Sequence, residues 1–253
     1  MINIKFPDGS VRTYEAGVTG YDVAMSISPR LAADVLAVSV KKPGEPETSK
    51  GTTIDLLRPI HEDVELRLLK WDDDEAKKVF WHSSSHLMAE ALEALFPGVK
   101  FGIGPAIENG FYYDVDMNGR TLTDADFKAI EDKMLEFARQ KQDLCRIEVS
   151  KADAMAYFTE KGDQYKQELI SELEDGTITY YTNGQFTDLC RGPHLKNTDV
   201  IKAVKVLSLA GAYWRGDETR QQLTRILRWS RFLASSSTCR YSVSMLALGK
   251  VIP

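Results

Sequence analysis

Three of the four histidines in this 253-residue chain, and one of its three cysteines, fall in two short stretches. The first is Trp81-His82-Ser83-Ser84-Ser85-His86, after which Leu87, Met88, Ala91, Leu92 and Leu95 recur at helical spacing until Phe96-Pro97-Gly98 supplies a stop. This pattern puts the two histidines at the start of a helix, four residues apart, so both imidazoles point into the same space. The second stretch, Asp188-Leu189-Cys190-Arg191-Gly192-Pro193-His194, repeats the four-residue offset in a Gly-Pro turn. Together His82, His86, Cys190 and His194 offer the softness and number of a zinc site, two or three imidazole nitrogens and a thiolate. Zinc would generate a hydroxide near neutral pH. Without a metal, imidazoles and a lysine can orient a water and carry its proton. Either way the cluster suits hydrolysis.

Each residue also has a plain structural account. The histidines could be partly buried imidazoles satisfied by the serines between them, and cysteine often behaves as a small buried hydrophobe. A glutamate directly after His82 would have signalled a metalloprotease, but Ser83 stands there. Lys166 and Asp188 carry less weight alone, since a helical lysine usually lies on a solvated face. Phe111-Tyr112-Tyr113 reads as sheet core before it reads as a substrate platform. Gly102 and Gly104 lack the third glycine and the strand-to-helix setting of a dinucleotide loop.

The elements that must position these residues follow from pattern. Residues 1–68 read as a small α+β unit. Ile2, Ile4 and Phe6 alternate with polar residues, Pro7-Asp8-Gly9-Ser10 turns, and Val11 to Tyr14 returns. A helix over Tyr21 to Ile27 ends near Ser28-Pro29, and strands follow over Leu36 to Val40 and Val64 to Leu69. Hairpin, helix, then further strands is the order of a ubiquitin-like β-grasp. Lys70 to Glu75 is a charged connector whose acids could begin the next helix, where the dipole favours them. Further on come a strand over Phe111 to Asp116 and a long amphipathic helix capped by Thr123 with Asp126. That helix has Phe127, Ile130, Met134 and Phe137 on its apolar face. A strand over Leu144 to Val149, helices over Lys151 to Phe158 and Tyr165 to Leu173, and strands over Thr177 to Tyr181 and Val204 to Leu209 complete the reading.

Composition bounds the function. With 43% hydrophobic and 27% charged residues the chain reads as a soluble globular protein. No apolar run can cross a membrane, and the amino terminus has no signal-peptide core, so no membrane contact is expected. Three cysteines argue for a reducing, cytoplasmic setting over a disulfide framework. A net charge of −5 does not proclaim a nucleic-acid binder. The charge is uneven, however: after Glu218 no acid follows, while Arg220, Arg225, Arg228, Arg231, Arg240 and Lys250 do.

Four motifs carry a family likeness. His82-Ser83-Ser84-Ser85-His86, Gly104-Pro105 through Asn109 to Asp116, Asp188 to His194 and Ala210-Gly211-Ala212-Tyr213-Trp214-Arg215-Gly216-Asp217 resemble the bacterial threonyl-tRNA synthetases, in that family's order and approximate spacing. The likeness implies an amino-terminal TGS domain of β-grasp fold at 1–68 and an α+β editing domain at 69–226. It implies tRNA(Thr) charged with serine as the partner, hydrolysed at the ester of its terminal adenosine. Such editing is needed because a methyl-sized difference gives only about 1–3 kcal/mol of discrimination between threonine and serine. Carried over by motif, His82, His86, Cys190 and His194 surround the ester and the water. Lys166 stabilises charge or relays a proton, Asp188 and Tyr113 contact serine or adenosine, and Gly104 lets the backbone approach the ligand. The related alanyl editing domains place zinc on this ligand pattern, whereas the threonyl family is understood to work without it, so zinc stays open.

Two departures limit what the resemblance implies. The class II core, with its ATP, magnesium and zinc sites and the anticodon-binding domain, is not found in this sequence, so ligase activity is not expected of this chain alone. The family's homodimer also forms through such domains. After Arg225-Ile226 the likeness stops, and residues 227–253 form an atypical basic tail. A frame change in the coding sequence accounts for that break better than a genuine tail does, and the segment is expected to be poorly ordered or loosely docked. Two other readings stay open: a non-catalytic tRNA-binding remnant, and a free-standing zinc-dependent trans-editing factor.

Overall fold

The computed structural model describes residues 1–108 and 110–232. Its first unit begins with a hairpin of β1 (Ile2–Lys5) and β2 (Val11–Tyr14), turned at Gly9, whose φ of 83° suits a residue without Cβ. After β3 (Val18–Thr19), Thr19 and Asp22 form a reciprocal capping box that starts α1 (Gly20–Ile27). The sequence expectation ended helical structure here, but Pro29 instead opens α2 (Pro29–Asp34). A first-turn proline loses nothing, because its missing N–H has no helical acceptor there. β4 (Ala37–Lys41), β5 (Thr52–Asp55), β6 (Pro59–Ile60) and β7 (Val64–Leu69) follow. Five of these strands form a sheet in the order β2-β1-β7-β4-β5, with β1 parallel to β7 and the other neighbours antiparallel. Ile2, Ile4, Val64 and Leu66 alternate inward onto Val23 and Ala24 of α1.

The second unit is organised around α3 (Asp74–Leu95). Asp74 and Glu75 sit in its first turn, where the connector's acids are expected to begin the helix, so the histidines lie mid-helix and not at its start. Ser83, Ser84 and Ser85 are fully buried. Ser83 and Ser84 donate to the carbonyls of Val79 and Phe80, and Ser85 to that of His82, which removes the cost of burying the hydroxyls. Around α3 lie β8 (Lys100–Phe101), β9 (Ala106–Ile107), β10 (Gly110–Asp116) and α4 (Asp124–Arg139), the last started by the expected Thr123/Asp126 capping box. β11 (Cys145–Glu148), α5 (Lys151–Glu160), α6 (Gln164–Ser171), β12 (Thr179–Asn183), β13 (Phe186–Leu189), β14 (Ile201–Tyr213) and β15 (Gln222–Phe232) complete the unit.

One sheet runs β14-β15-β10-β8, with β9 also on β10, and a second runs β11-β12-β13. Leu87, Met88, Ala91 and Leu92 of α3 pack with Phe111, Val115, Ile130, Met134 and Ile226 in the larger core. Leu36, Ala37 and Leu69 of the first unit join that same core. The protein is therefore α+β in both halves. Among the described residues no helix is long and apolar enough to cross a membrane.

β13 and β15 escaped the sequence reading. β13 carries Asp188 inward, and β15 mixes arginines with apolar residues, so neither shows clean alternation. The break placed at 226 falls inside β15, where Leu227 pairs with Tyr112 and Arg228 with Phe111. Residues 227–232 thus continue an ordered strand, contrary to a loose tail from 227 onward; 233–253 lie outside the described residues.

Candidate functional site

Helix α3 presents His82 and His86, and the turn after β13 presents Cys190 and His194. The structure brings the four together: one ligand atom from each lies within 4.8 Å of all the others. Ring centroids are 5.4 Å apart for His82 and His86, 4.1 Å for His82 and His194, and 4.2 Å for His86 and His194. The cysteine sulfur sits 3.3 Å from His82 Nε2 and 3.2 Å from His194 Nε2. Gly192, with φ 72°, makes this turn, because a Cβ there would collide with the Tyr181 hydroxyl. The Gly192–Pro193 peptide is cis.

The hydrogen-bond network assigns the tautomers of two rings. His82 Nδ1 faces the Pro193 carbonyl at 3.3 Å, which can only accept, so Nδ1 carries the proton. Ser83 Oγ donates to Val79 O at 2.8 Å and accepts the Leu195 N–H at 2.8 Å. Its remaining capacity accepts the His194 Nδ1–H at 3.1 Å. Both Nε2 lone pairs therefore face the sulfur, with a single S–H between them. Such a centre is short of donors: it suits a water, which brings two O–H bonds, or a cation.

The donor set passes a test for zinc. The two sulfur–nitrogen separations match the roughly 3.5 Å edge of a zinc tetrahedron built from bonds of about 2.0–2.3 Å. Outer hydrogen bonds to Pro193 and Ser83 orient two of the ligands, as outer partners do in metal sites. Among the described residues no hydrogen-bond partner meets the buried His86 Nδ1, so one further donor stands unused.

Burial sets the protonation. It depresses His82 below the usual histidine value, the Pro193 carbonyl partly offsetting it. It takes His86 down to about 3 and His194 well below 6.5, and pushes the Cys190 thiol up to about 12. At neutral pH the unmetallated site is three neutral imidazoles and a thiol.

Beneath the cluster lies a second one. Lys166, at the start of α6, is buried and pairs with Asp188 at 2.6 Å, and its Nζ lies 3.3 Å from the Tyr113 hydroxyl. Tyr113 also donates to Asp188. Burial pushes the Asp188 carboxyl up, but Lys166, His86 and the Tyr113 hydrogen bond together hold it below the ordinary aspartate value. His86 Nε2 stands 3.9 Å from Asp188, linking the two clusters. Lys166 is thus no solvated lysine, and Tyr113 is at once sheet core and part of the polar group. Gly104 makes room here for the Tyr113 ring, against which a Cβ would clash.

A cavity of about 430 Å³ opens beside His82, lined also by Val79, Pro105, Gly192 and Pro193. Another of about 420 Å³ reaches Cys190 from the side of Thr179, Leu169 and Arg191. Both lie in the size range of small-ligand pockets. Sequence reasoning missed Ser83 as a ring-orienting group, the Pro193 carbonyl, and Asp55. Ser83 could have been found from its position between the histidines, but the other two carry no local signal.

Comparison with known proteins gives first a class. Residues 178–226 match the family described as the threonyl and alanyl tRNA synthetase second additional domain. The relatives then narrow it. The chain is 63% identical over 227 residues to a threonine–tRNA ligase of Porphyromonas gingivalis, covering 89% of this chain and 33% of that protein. It is 60% identical to that of Parabacteroides distasonis and 58% identical to that of Bacteroides thetaiotaomicron, each over 226 residues and 89% of this chain. Over that stretch the chain is homologous to threonine–tRNA ligases, and it spans about a third of their length.

Proposed function

We propose that this chain corresponds to the amino-terminal part of a threonine–tRNA ligase and that its second unit is an editing hydrolase, removing serine from tRNA(Thr). The carrying observation is the centre made by His82, Cys190 and His194, where two imidazole lone pairs face each other across a thiol beside an open cavity. A water held there donates its O–H bonds to the two Nε2 atoms and turns an oxygen lone pair toward the ester carbon. His82, which lines the cavity, takes the proton as that oxygen attacks. The tetrahedral adduct collapses to free serine as the proton passes to the departing ribose oxygen. His86 and Cys190 hold the water's position. Lys166 keeps Asp188 charged, and Asp188 with Tyr113 forms the polar floor for the amino acid or adenosine. Gly104 keeps the backbone beside this floor free of side-chain bulk. A pocket fitted to serine disfavours threonine through its extra methyl.

Purified protein would be given seryl- and threonyl-tRNA(Thr). Faster loss of the seryl ester is expected, and His82→Ala or Cys190→Ala should slow it by at least about tenfold. Equal lifetimes of both esters with and without protein would sink the reading; tRNA binding without cleavage would favour a non-catalytic module instead.

The same donor set supports a second reading, a zinc-holding factor in which His82, His86, Cys190 and His194 bind the ion. Zinc would supply Lewis acidity and a bound hydroxide near neutral pH. Four donors from the chain would close a tetrahedral ion to water, however, which favours the metal-free route. Zinc binding would release the Cys190 proton, so apparent affinity should rise about tenfold per pH unit between roughly 7 and 9. Binding measured across pH by competition with a chelator checks this. A flat profile removes Cys190 from the ligand set.

For the first unit, the order β2-β1-β7-β4-β5 with α1 packed on one face supports a ubiquitin-like β-grasp of the TGS type. In this reading residues 1–68 are a module beside the tRNA-facing site.

A further inference from the structure

Asp55 ends β5 in the first unit, yet both of its carboxylate oxygens act in the second. Oδ1 accepts the backbone N–H of His194 at 2.6 Å, and Oδ2 accepts the Tyr181 hydroxyl at 2.8 Å. Both donors are buried, with His194 at 0% and Tyr181 at 1% exposure. The Tyr181 ring lies 4.3 Å from the His194 ring, and its hydroxyl occupies the space that Gly192 leaves open. One carboxylate thus pins the turn at two points: the backbone of His194 and the ring packed on its imidazole. Ser83 pins the same imidazole from the other side through Nδ1 and the neighbouring Leu195 N–H.

The unit that carries this carboxylate packs directly against the second. Leu36 and Leu69 share a core with Val79 and Phe80 of α3, the Lys196 ammonium sits 4.3 Å over the Tyr21 ring, and Lys50 pairs with Glu75 at 3.6 Å. A displacement of the first sheet would move Asp55, and with it the direction in which His194 Nε2 presents its lone pair to the water.

We infer that Asp55 is a positioning residue of the hydrolytic site, so that the first unit sets the geometry of the Cys190–His194 turn. The inference rests on the hydrolase reading above. It acts through hydrogen bonds, not through net charge. An asparagine keeps an oxygen that accepts the His194 N–H and offers an N–H₂ to the Tyr181 oxygen, whereas a leucine offers neither.

The test uses the full chain with Asp55→Leu, Asp55→Asn and Tyr181→Phe. Seryl-tRNA hydrolysis is measured beside amide hydrogen exchange. For Asp55→Leu the expected result is a fall in kcat of about tenfold, the loss that follows when a catalytic group is misplaced but kept. The His194 amide should exchange at least about tenfold faster while amides of β1 stay protected, a local opening. Asp55→Asn should recover to within about threefold of wild type, and Tyr181→Phe should fall between. Wild-type kcat in Asp55→Leu, or an asparagine variant as impaired as the leucine one with unchanged His194 exchange, overturns the inference. If Asp55→Leu opens the whole first sheet, the other two variants decide: wild-type exchange and kcat in Tyr181→Phe would then overturn it. If wild-type protein cleaves neither ester, the hydrolase reading fails, and His194 exchange alone reports whether Asp55 holds the turn.

Discussion

Lys166 and Arg228 are buried to nearly the same degree, at 2% and 1% exposure, yet their surroundings differ. Lys166 meets Asp188 at 2.6 Å and Tyr113 at 3.3 Å, a polar group closed on itself next to the histidines. Arg228 meets the Met134 sulfur, while its Nε and Nη2 have no hydrogen-bond partner among the described residues. Burial pulls its pKa down to about 9, with Glu131 pulling weakly the other way. The register of β15 sets Arg228 opposite Phe111 on one side and Val206 on the other, a place that the core fills with apolar side chains elsewhere. One buried cation belongs to a built site; the other sits where the fold asks for a hydrophobe. Arg228 lies just past Ile226, the last residue of the matched synthetase second additional domain.

The comparison can be broken by substitution. Lys166→Met strands Asp188 as an unpaired buried charge and should cost about 3–5 kcal/mol, read from urea unfolding. A loss below about 1 kcal/mol would mean that the pair is not what keeps Asp188 buried. Arg228→Leu should act in the opposite direction, stabilising by about 1–3 kcal/mol, the usual cost of a buried unsatisfied group. Destabilisation would show that the arginine is served in its place.

A third buried charge sharpens the contrast. Glu90 lies one turn beyond His86 and accepts from neutral amides, Gln142 Nε2 at 2.8 Å, Asn183 Nδ2 at 2.8 Å and the backbone N–H of Gln185. Burial raises its pKa from 4.5 to about 7, against those hydrogen bonds. At Glu90 the folded chain therefore binds more protons than the unfolded one between those values, and this group's contribution to stability falls as pH rises from 4.5 through about 7. His82, His86 and His194, neutral in the fold and free to protonate once unfolded, push Tm up with pH over much of the same window. The glutamate is therefore read as a difference in thermal unfolding: Glu90→Gln should make Tm rise more steeply with pH than in the parent protein. An unchanged slope in the variant would assign the titration elsewhere.

The sequence alone determined features whose causes are short-range. The alternation of Ile2 and Ile4, the helical recurrence of Leu87, Met88, Ala91 and Leu92, and the Thr123/Asp126 box each act within a few residues and can be read where they stand. The histidine and cysteine stretches were legible as chemistry because their residue types are rare in this chain. Only the tertiary structure decided which groups serve them. By local pattern Lys166 reads as a surface residue, and only the family resemblance gave it a role; α6 carries it onto Asp188. Asp55 reaches His194 across 139 residues, and Ser83 meets Leu195 across 112. Contacts so distant leave no period or cap in the sequence, because packing, not local backbone preference, creates them. β15 was hidden for the same reason: its strand comes from pairing with β10 and β14 on both sides, which overrides a pattern broken by arginines.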